Sequence, residues 1–426
     1  MKKILVIILS VYSLFISSYS AYALSGTDFR PGRIIDDVVF FNKNSMTVAQ
    51  IQDFLNSKVS NCETNHSSTS GDSGTVYSPP FVCLKDFYEN PNDKYIINYN
   101  YKDVAGNDKS EQRVFYRNNA YEFTSLSPNY KNGNFVEGIV SIRATIKSIA
   151  GIRPAGAISA AQIIYNAAQK YNINPQVLLV TLQKEQGLIT DSWPVAWQFQ
   201  AAMGYGCPDN GPCSSRYSGF SSQVENAAWQ FRAYTNNPDS YNFKAGVSRY
   251  IQFNPSSTCG GSTIYLENQS TANLYNYTPY QPNSAALANM SGSSAGGSVS
   301  CGAYGNRNFF WYFNNWFGTT LFVKNTENAN FIFGDFNGDG SNELSTFYPY
   351  DNKTYTIIDS YLTTPQIQWN SGPGNWESNR TKLVSGDFNG DGKADVGALY
   401  DYGNSRIAWW VFYGNSTGLS APVKNG

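Results

Sequence analysis

Residues 177–187 read VLLVTLQKEQG. A largely apolar run from Val177 to Leu182 turns abruptly into Lys184, Glu185, Gln186 and a glycine. Just upstream, Asn174-Pro175 offers a side-chain cap followed by a residue whose fixed φ suits the first helical position. Gly187 is a natural stop. The pattern therefore predicts a helix over 175–186, buried on nearly every side, with Glu185 in its last turn. There Glu185 shares a face with Leu178, Thr181 and Leu182 and meets the negative end of the helix dipole. Apolar neighbours and unpaired terminal carbonyls both disfavour an ionised carboxyl, which is what a general acid working near neutral pH requires. A Lys184 side chain folded back onto it would oppose this. The plainer alternative is a carboxylate that is simply solvated at the end of a core helix, since charged side chains are rarely buried without a partner.

Two further helix starts carry one device. In Met46-Thr47-Val48-Ala49-Gln50-Ile51 and in Ile158-Ser159-Ala160-Ala161-Gln162-Ile163, a hydroxyl cap is followed three residues later by Gln and flanked by apolar residues. The second predicted helix places Ile163, Ala167, Ala168 and Tyr171 on one stripe. A third, Gln223–Tyr234, carries Trp229, expected to be buried.

The first residues, MKKILVIILSVYSLFISSYSAYAL, combine two lysines, an apolar stretch from Ile4 to Ile16 and Ala21-Tyr22-Ala23, the pattern of an export signal cleaved after residue 23. The mature chain is then expected to be secreted or held at the extracellular surface. Removing Lys2 and Lys3 leaves 28 of the 30 basic residues against 31 acidic ones, a net charge near −3, so nothing attracts nucleic acid. Six cysteines in an exported chain predict disulfides. Nearest-neighbour pairing gives Cys62 with Cys83, Cys207 with Cys213 and Cys259 with Cys301.

The chain has one histidine, His66, in a polar segment, a poor basis for a Ser-His-Asp or Cys-His nucleophile system. Any catalysis is expected to run on carboxylates without a cofactor. With 31 Tyr, 26 Phe and 9 Trp, the chain is rich in rings that stack on sugars, though aromatics also fill cores.

The run from Ile158 through AAQIIYNAAQKYNINPQVLLVTLQKEQGLITDSWP resembles the start of the lysozyme-like core of goose-type lysozymes and lytic transglycosylases. With AAMGYGCPDNGPC, QVENAAWQFRAYT, LYNYTPYQPN and GNRNFFWYFNNWFG, it is similar to exported bacterial proteins with lysozyme-like domains, described loosely as hemagglutinin-like or hydrolase-like. The resemblance covers about 151–320 and places the family's catalytic Glu on Glu185. It departs from that family at Gln186, where Ser is common, and at Ala202-Met203-Gly204-Tyr205-Gly206, which replaces a Gly-Leu-Met-Gln-Ile segment. The resemblance implies that Glu185 protonates a glycosidic oxygen, as in peptidoglycan. Hydrolysis would need a second carboxylate, with Asp191, Asp209 and Glu225 as candidates and Asp191 nearest in sequence, whereas transglycosylation needs none. Trp193, Tyr205, Tyr277 and Tyr280 are the candidate sugar contacts, Tyr205 first because glycines flank it.

Near the C-terminus, Asp335-Phe-Asn337-Gly-Asp339-Gly-Ser341-Asn-Glu343 and Asp387-Phe-Asn389-Gly-Asp391-Gly-Lys393-Ala-Asp395 repeat at a spacing of 387 − 335, or 52 residues. Oxygen donors at positions 1, 3, 5 and 9, and a backbone carbonyl at 7 (Ser341, Lys393), suit calcium. Strand-like flanks rule out an EF-hand, and the pattern resembles FG-GAP/VCBS repeats of β-propellers. Two repeats cannot close a ring.

The expected architecture is multidomain α+β: a signal over 1–23, a mixed α/β segment over 24–150, a mainly α lysozyme-like domain over 151–322, and two calcium-binding β-repeats over 323–426 forming an incomplete propeller-like unit. The expected function is cleavage of peptidoglycan or another cell-surface glycan, with the repeats attaching to a surface or a surface protein. The alternative is a non-catalytic adhesin or hemagglutinin-like glycan-binding protein. A peptidase is disfavoured by the lone histidine and the lack of a metal motif.

Overall fold

The computed structural model describes residues 24–425 apart from 71–75, 103–104, 129, 132–133, 136–141, 209–212, 291–298, 322–329, 341–342, 351–352, 360–365 and 372–375. The expected signal segment and Ser341 lie outside the described residues. The chain is a mixed α and β structure. Its helices are α1 (Asp37–Phe40), α2 (Val48–Lys58), α3 (Ala160–Tyr171), α4 (Pro175–Gln186), α5 (Ala196–Gln200), α6 (Phe220–Asn236), α7 (Gln269–Tyr277), α8 (Ser284–Ala288) and α9 (Gly305–Phe317). Among the described residues, none of these is long and apolar enough to cross a membrane.

The local signals behave as their chemistry dictates. Thr47 forms the full capping box of α2, accepting from Gln50 N (3.3 Å) while its own N–H donates to Gln50 Oε1 (2.8 Å). Ser159 caps α3 through Gln162 N (3.2 Å), but the reciprocal half expected there is replaced. Gln162 Nε2 instead donates to Asn166 Oδ1, one turn along (2.8 Å). Asn174 caps α4 through Gln176 N (2.8 Å), and Gly187 ends it with φ +70°. All of Val177–Leu182 is fully buried, with Thr181 Oγ1 donating to the Val177 carbonyl at 2.8 Å so that no polar group is stranded. Each such buried aliphatic side chain contributes roughly 1.5–3 kcal/mol.

One hydrophobic core runs across position 150. Ile34, Phe40, Ile51, Leu55, Phe87 and Phe115 join Ile164, Leu178, Phe199, Phe231 and Phe309 in a single cluster. Strand Tyr88–Lys102 pairs antiparallel with Asp108–Asn118 and, at its start, with Ile158–Ser159, so the sheet leads directly into α3. α3 packs on α6 and α4 on α9. The three disulfides are Cys62–Cys83, Cys207–Cys213 and Cys259–Cys301, the nearest-neighbour pairings.

Trp229 corrects the sequence reading: it is 45 % exposed. The buried face of α6 is supplied by Val224, Ala227, Ala228, Phe231 and Tyr234, which leaves Trp229 outside that stripe. The N-terminus of α6 also lacks a cap of its own. Glu89, fully buried on the strand beneath, accepts from Ser221 N (2.7 Å) and Phe220 N (3.4 Å) instead.

Beyond residue 329, two antiparallel four-stranded sheets follow in sequence order. The first contains Asn330–Gly334, Glu343–Tyr350, Lys353–Asp359 and Gln366–Asn370; the second contains Thr381–Gly386, Asp395–Gly403, Arg406–Phe412 and Val423–Lys424. Each acidic loop joins the first two strands of its sheet, with Gly334 opposite Glu343 and Gly386 opposite Asp395. The sheets share a separate core in which Ile332, Phe336 and Phe347 meet Val396, Ala398, Tyr400 and Phe412. Among the described residues the two sheets close into no barrel, and the propeller-like arrangement expected from the repeats is not shown.

Candidate functional site

The end of α4 presents Glu185 with about a quarter of its side chain exposed, while the adjacent Lys184 side chain is 3 % exposed. Lys184 does fold back. Its ammonium donates to Glu185 Oε1 and, at 2.8 Å, to Thr278 Oγ1 just beyond α7, and it lies over the Tyr277 ring at 5.4 Å. It is the fold-back that the sequence raises as the objection to Glu185 as an acid, and the structure shows it in place.

The other carboxylate oxygen, Oε2, faces a tight turn over residues 203–205. Gly204 has φ +67°, and a Cβ placed on it would sit 3.0 Å from Glu185 Oε2. Glycine suits this position for its backbone conformation, and a side chain here would press on the Glu185 carboxylate. Gln223 on α6, 1 % exposed, holds the turn with its whole amide. Its Oε1 accepts from Met203 N (3.2 Å) and Tyr205 N (3.0 Å), and its Nε2 donates to the carbonyls of Tyr205 (2.9 Å) and Tyr217 (2.7 Å). From the far side, Tyr277 Oη donates to the Met203 carbonyl at 2.6 Å. Burial, reinforced by nearby Glu185, pushes the Tyr277 phenol well above its ordinary pKa and keeps it a donor.

The sequence-derived candidates distribute unevenly around this centre. Tyr205 is half-buried on the Gly204 turn, edge-on to Tyr217 at 4.8 Å, so part of its ring remains open. Tyr277 stacks on Phe231 (4.8 Å) and is tied into packing through both ring and hydroxyl. Tyr280 is half-buried, its carbonyl held by Asn306 Nδ2 at 3.0 Å. Asp191 shapes the loop after α4: Oδ1 accepts from Trp193 N (2.9 Å) and Oδ2 from Gln198 Nε2 (2.8 Å), which also reaches the Gln186 carbonyl. One face of Trp193 is taken by His66, whose ring stacks on it at 4.1 Å and 2°. Glu63 bridges His66 Nδ1 (3.1 Å) and Ser192 Oγ (2.6 Å), clipping the Cys62–Cys83 loop to this segment. Glu225 is engaged by Lys170 and the Tyr171 hydroxyl, and Asp209 lies outside the described residues. A cavity of about 850 Å³ lined by Leu24, Leu287, Met290, Trp311 and Asn315 lies among other residues and contains no ionisable group.

In the loop 335–343, carboxylate oxygens of Asp335, Asp339 and Glu343 lie within 4.8 Å of one another, an arrangement that could hold a metal ion. Asn337 Nδ2 donates to Asp339 (3.2 Å) and Glu343 (3.0 Å). Burial raises the Glu343 pKa; amides of Phe336 and Asn337 counter it, and the charges of Asp339 and Asp335 add to it. The loop 387–395 repeats the backbone pattern: Asp387 accepts from the amides of Gly390 (2.7 Å), Asp391 (3.2 Å) and Gly392 (2.9 Å), as Asp335 does from Gly338, Asp339 and Gly340. The match extends to the side-chain acceptors: Asn389 Oδ1 accepts from Asp391 N and Asp395 from Phe388 N (2.8 Å), as Asn337 does from Asp339 N and Glu343 from Phe336 N. In the second loop Gly414 N also donates to Asp395 (2.8 Å), and Lys393 Nζ lies 3.2 Å from Asp391 Oδ2.

Residues 109–294 match the family model described as "LasA, N-terminal domain". The matched stretch starts in the strand Asp108–Asn118 and includes α3 to α8. Neither a curated protein nor a solved structure matches the chain.

Proposed function

We propose that this chain is a secreted, cell-wall-active protein that cleaves a glycan such as peptidoglycan, with Glu185 as the proton-transferring residue. The likeness of 109–294 to the LasA N-terminal domain supports the cell-wall setting, and three disulfides suit an extracellular one. The observation that carries the catalytic part is the placement of Glu185. It is a partly exposed carboxylate at the end of a largely buried helix, with a glycine turn drawn up against one oxygen and a buried cation against the other. In this reading Glu185 delivers a proton to the glycosidic oxygen, and Tyr205, with Trp193 and Tyr280 at the margins, offers ring surface to the sugars. Asp191 shapes the neighbouring loop and is the candidate second carboxylate for hydrolysis; transglycosylation proceeds with Glu185 alone.

The Lys184 ammonium favours a second reading, glycan binding without cleavage, because one carboxylate oxygen of Glu185 is already taken up by a buried cation. Digestion of purified peptidoglycan separates the two. Under the first, the mature chain releases soluble fragments and Glu185→Gln reduces the rate by ~10²–10⁴-fold. Binding without release by the native chain supports the second.

For the C-terminal part we propose calcium-binding repeats of the FG-GAP/VCBS kind that attach the protein to a surface or a surface protein. The residues of the first loop fit such an ion, which would be held by Asp335, Asn337, Asp339 and Glu343, with the Ser341 carbonyl offered by the sequence pattern. Bound calcium supplies positive charge between these carboxylates. In the second loop the same pattern offers Asp387, Asn389, Asp391 and Asp395 with the Lys393 carbonyl.

A further inference from the structure

The two acidic loops touch. The amide of Ala394, in the second loop, donates to the carbonyl of Asp335, the first residue of the first loop, at 2.8 Å. Beside this bond the Lys393 stem lies along Gly338, where a Cβ would sit 3.1 Å from Lys393 Cγ and 3.5 Å from its Cε. Gly414, just beyond the strand Arg406–Phe412, closes the junction. Its amide donates to Asp395 Oδ1 (2.8 Å), and a Cβ on it would come within 2.4 Å of the Ala394 carbonyl oxygen and 2.8 Å of that of Phe336.

The contact falls where the first loop takes its shape. The Asp335 carboxylate gathers the amides of Gly338, Asp339 and Gly340, so moving Asp335 moves the whole turn. Its oxygens lie within 4.8 Å of those of Asp339 and Glu343. Glu343 is 2 % exposed, and its donors are neutral amides of Phe336 and Asn337. A buried carboxylate held by neutral donors among other carboxylates fits a bound cation.

The N–H of Ala394 and the carbonyl of Lys393 are the two ends of one peptide unit, which is planar and stiff and points them to opposite sides. The structure gives the N–H to Asp335 of the first loop. The sequence pattern gives the carbonyl to the ion of the second. We infer, resting on the calcium reading of the repeats, that the two loops bind calcium cooperatively through this shared peptide, so that filling either favours filling the other. A Lys393 carbonyl held to a cation fixes the orientation of the Ala394 N–H and polarises it, and the bond to Asp335 strengthens. The Lys393 stem carries the same ordering to Gly338. Linkage makes the effect equal in both directions.

Calorimetric calcium titration of the full mature chain, stripped beforehand with chelator, tests the coupling. Asp391→Ala disables the second loop and leaves the first to bind alone; Asp339→Ala does the converse. Both side chains are exposed, so each variant should keep the native far-UV spectrum, and the isosteric Asp391→Asn and Asp339→Asn serve where an alanine variant does not. The native chain should bind two ions, and the product of its two association constants should exceed the product of the single-loop constants by about 5–150-fold. Two ions bound with equal products would overturn the cooperativity and leave the calcium reading standing. A native chain that takes one ion would overturn it too, and one that takes none would remove the calcium reading with it.

Discussion

Lys184 and Glu185, neighbours in sequence, turn toward each other at the end of α4 and form an ion pair whose lysine is almost wholly buried. Thr278 anchors the same ammonium from another element, so the pair also ties α4 to the end of α7. Replacing Lys184 by Met keeps the aliphatic stem and removes the charge. The expected cost is about 1–3 kcal/mol from leaving Glu185 Oε1 and Thr278 without their donor, read as a lower denaturation midpoint. If the midpoint does not move, the pair has no structural weight.

Glu89 should make stability depend on pH. Burial raises its pKa, more than the Ser221 and Phe220 hydrogen bonds lower it. The folded state therefore holds this proton more tightly than the unfolded chain, where the value is about 4.3. Stability from this group is present in full below that value and is lost as pH rises through the folded one. In thermal melts between pH 4 and 8, the difference between Glu89→Gln and the native chain should shift in the variant's favour as pH rises. A difference that stays constant across the range would contradict this.

Gln223 should matter more than its distance in sequence from Glu185 suggests. Gln223→Met preserves length but strands two amides and two carbonyls of residues 203–217, each otherwise paired in the interior. A loss of roughly 2–4 kcal/mol is expected from several such bonds at about 1 kcal/mol apiece. Limited proteolysis near Tyr205 should accelerate in parallel. Unchanged cleavage would show that other contacts, such as Tyr277 to Met203, hold the turn.

Calcium should raise the melting temperature of the C-terminal sheets within the full chain. A ligand at a hundred times its Kd stabilises by about 2.7 kcal/mol. Asp339→Asn removes one of the three clustered carboxylates and should reduce that gain, as followed by calorimetry with calcium and with chelator. Identical melts of the native chain under the two conditions would remove calcium from the account.

The sequence by itself determined those features whose partners lie within a few residues. The Asn174 cap, the Gly187 stop and the Thr47–Gln50 box are each complete within one turn of chain, so their chemistry can be read from spacing. The acidic loops are legible for the same reason, since their oxygens receive amides two to seven positions away. Ser159 shows the margin of this approach: its cap formed, but Gln162 found Asn166 an equally near partner.

Only the tertiary structure decided what surrounds Glu185. Thr278, Gln223 and Gly204 come from separate elements, and no periodicity connects them. Trp229 turned outward because the buried face of α6 is set by the elements packed against it, and Glu89 caps that helix from a strand 131 residues away. Repeats alike in sequence likewise differ in exposure, because burial depends on which faces meet: Phe336 lies in the core between the two sheets, whereas Phe388 is 44 % exposed beside Trp409.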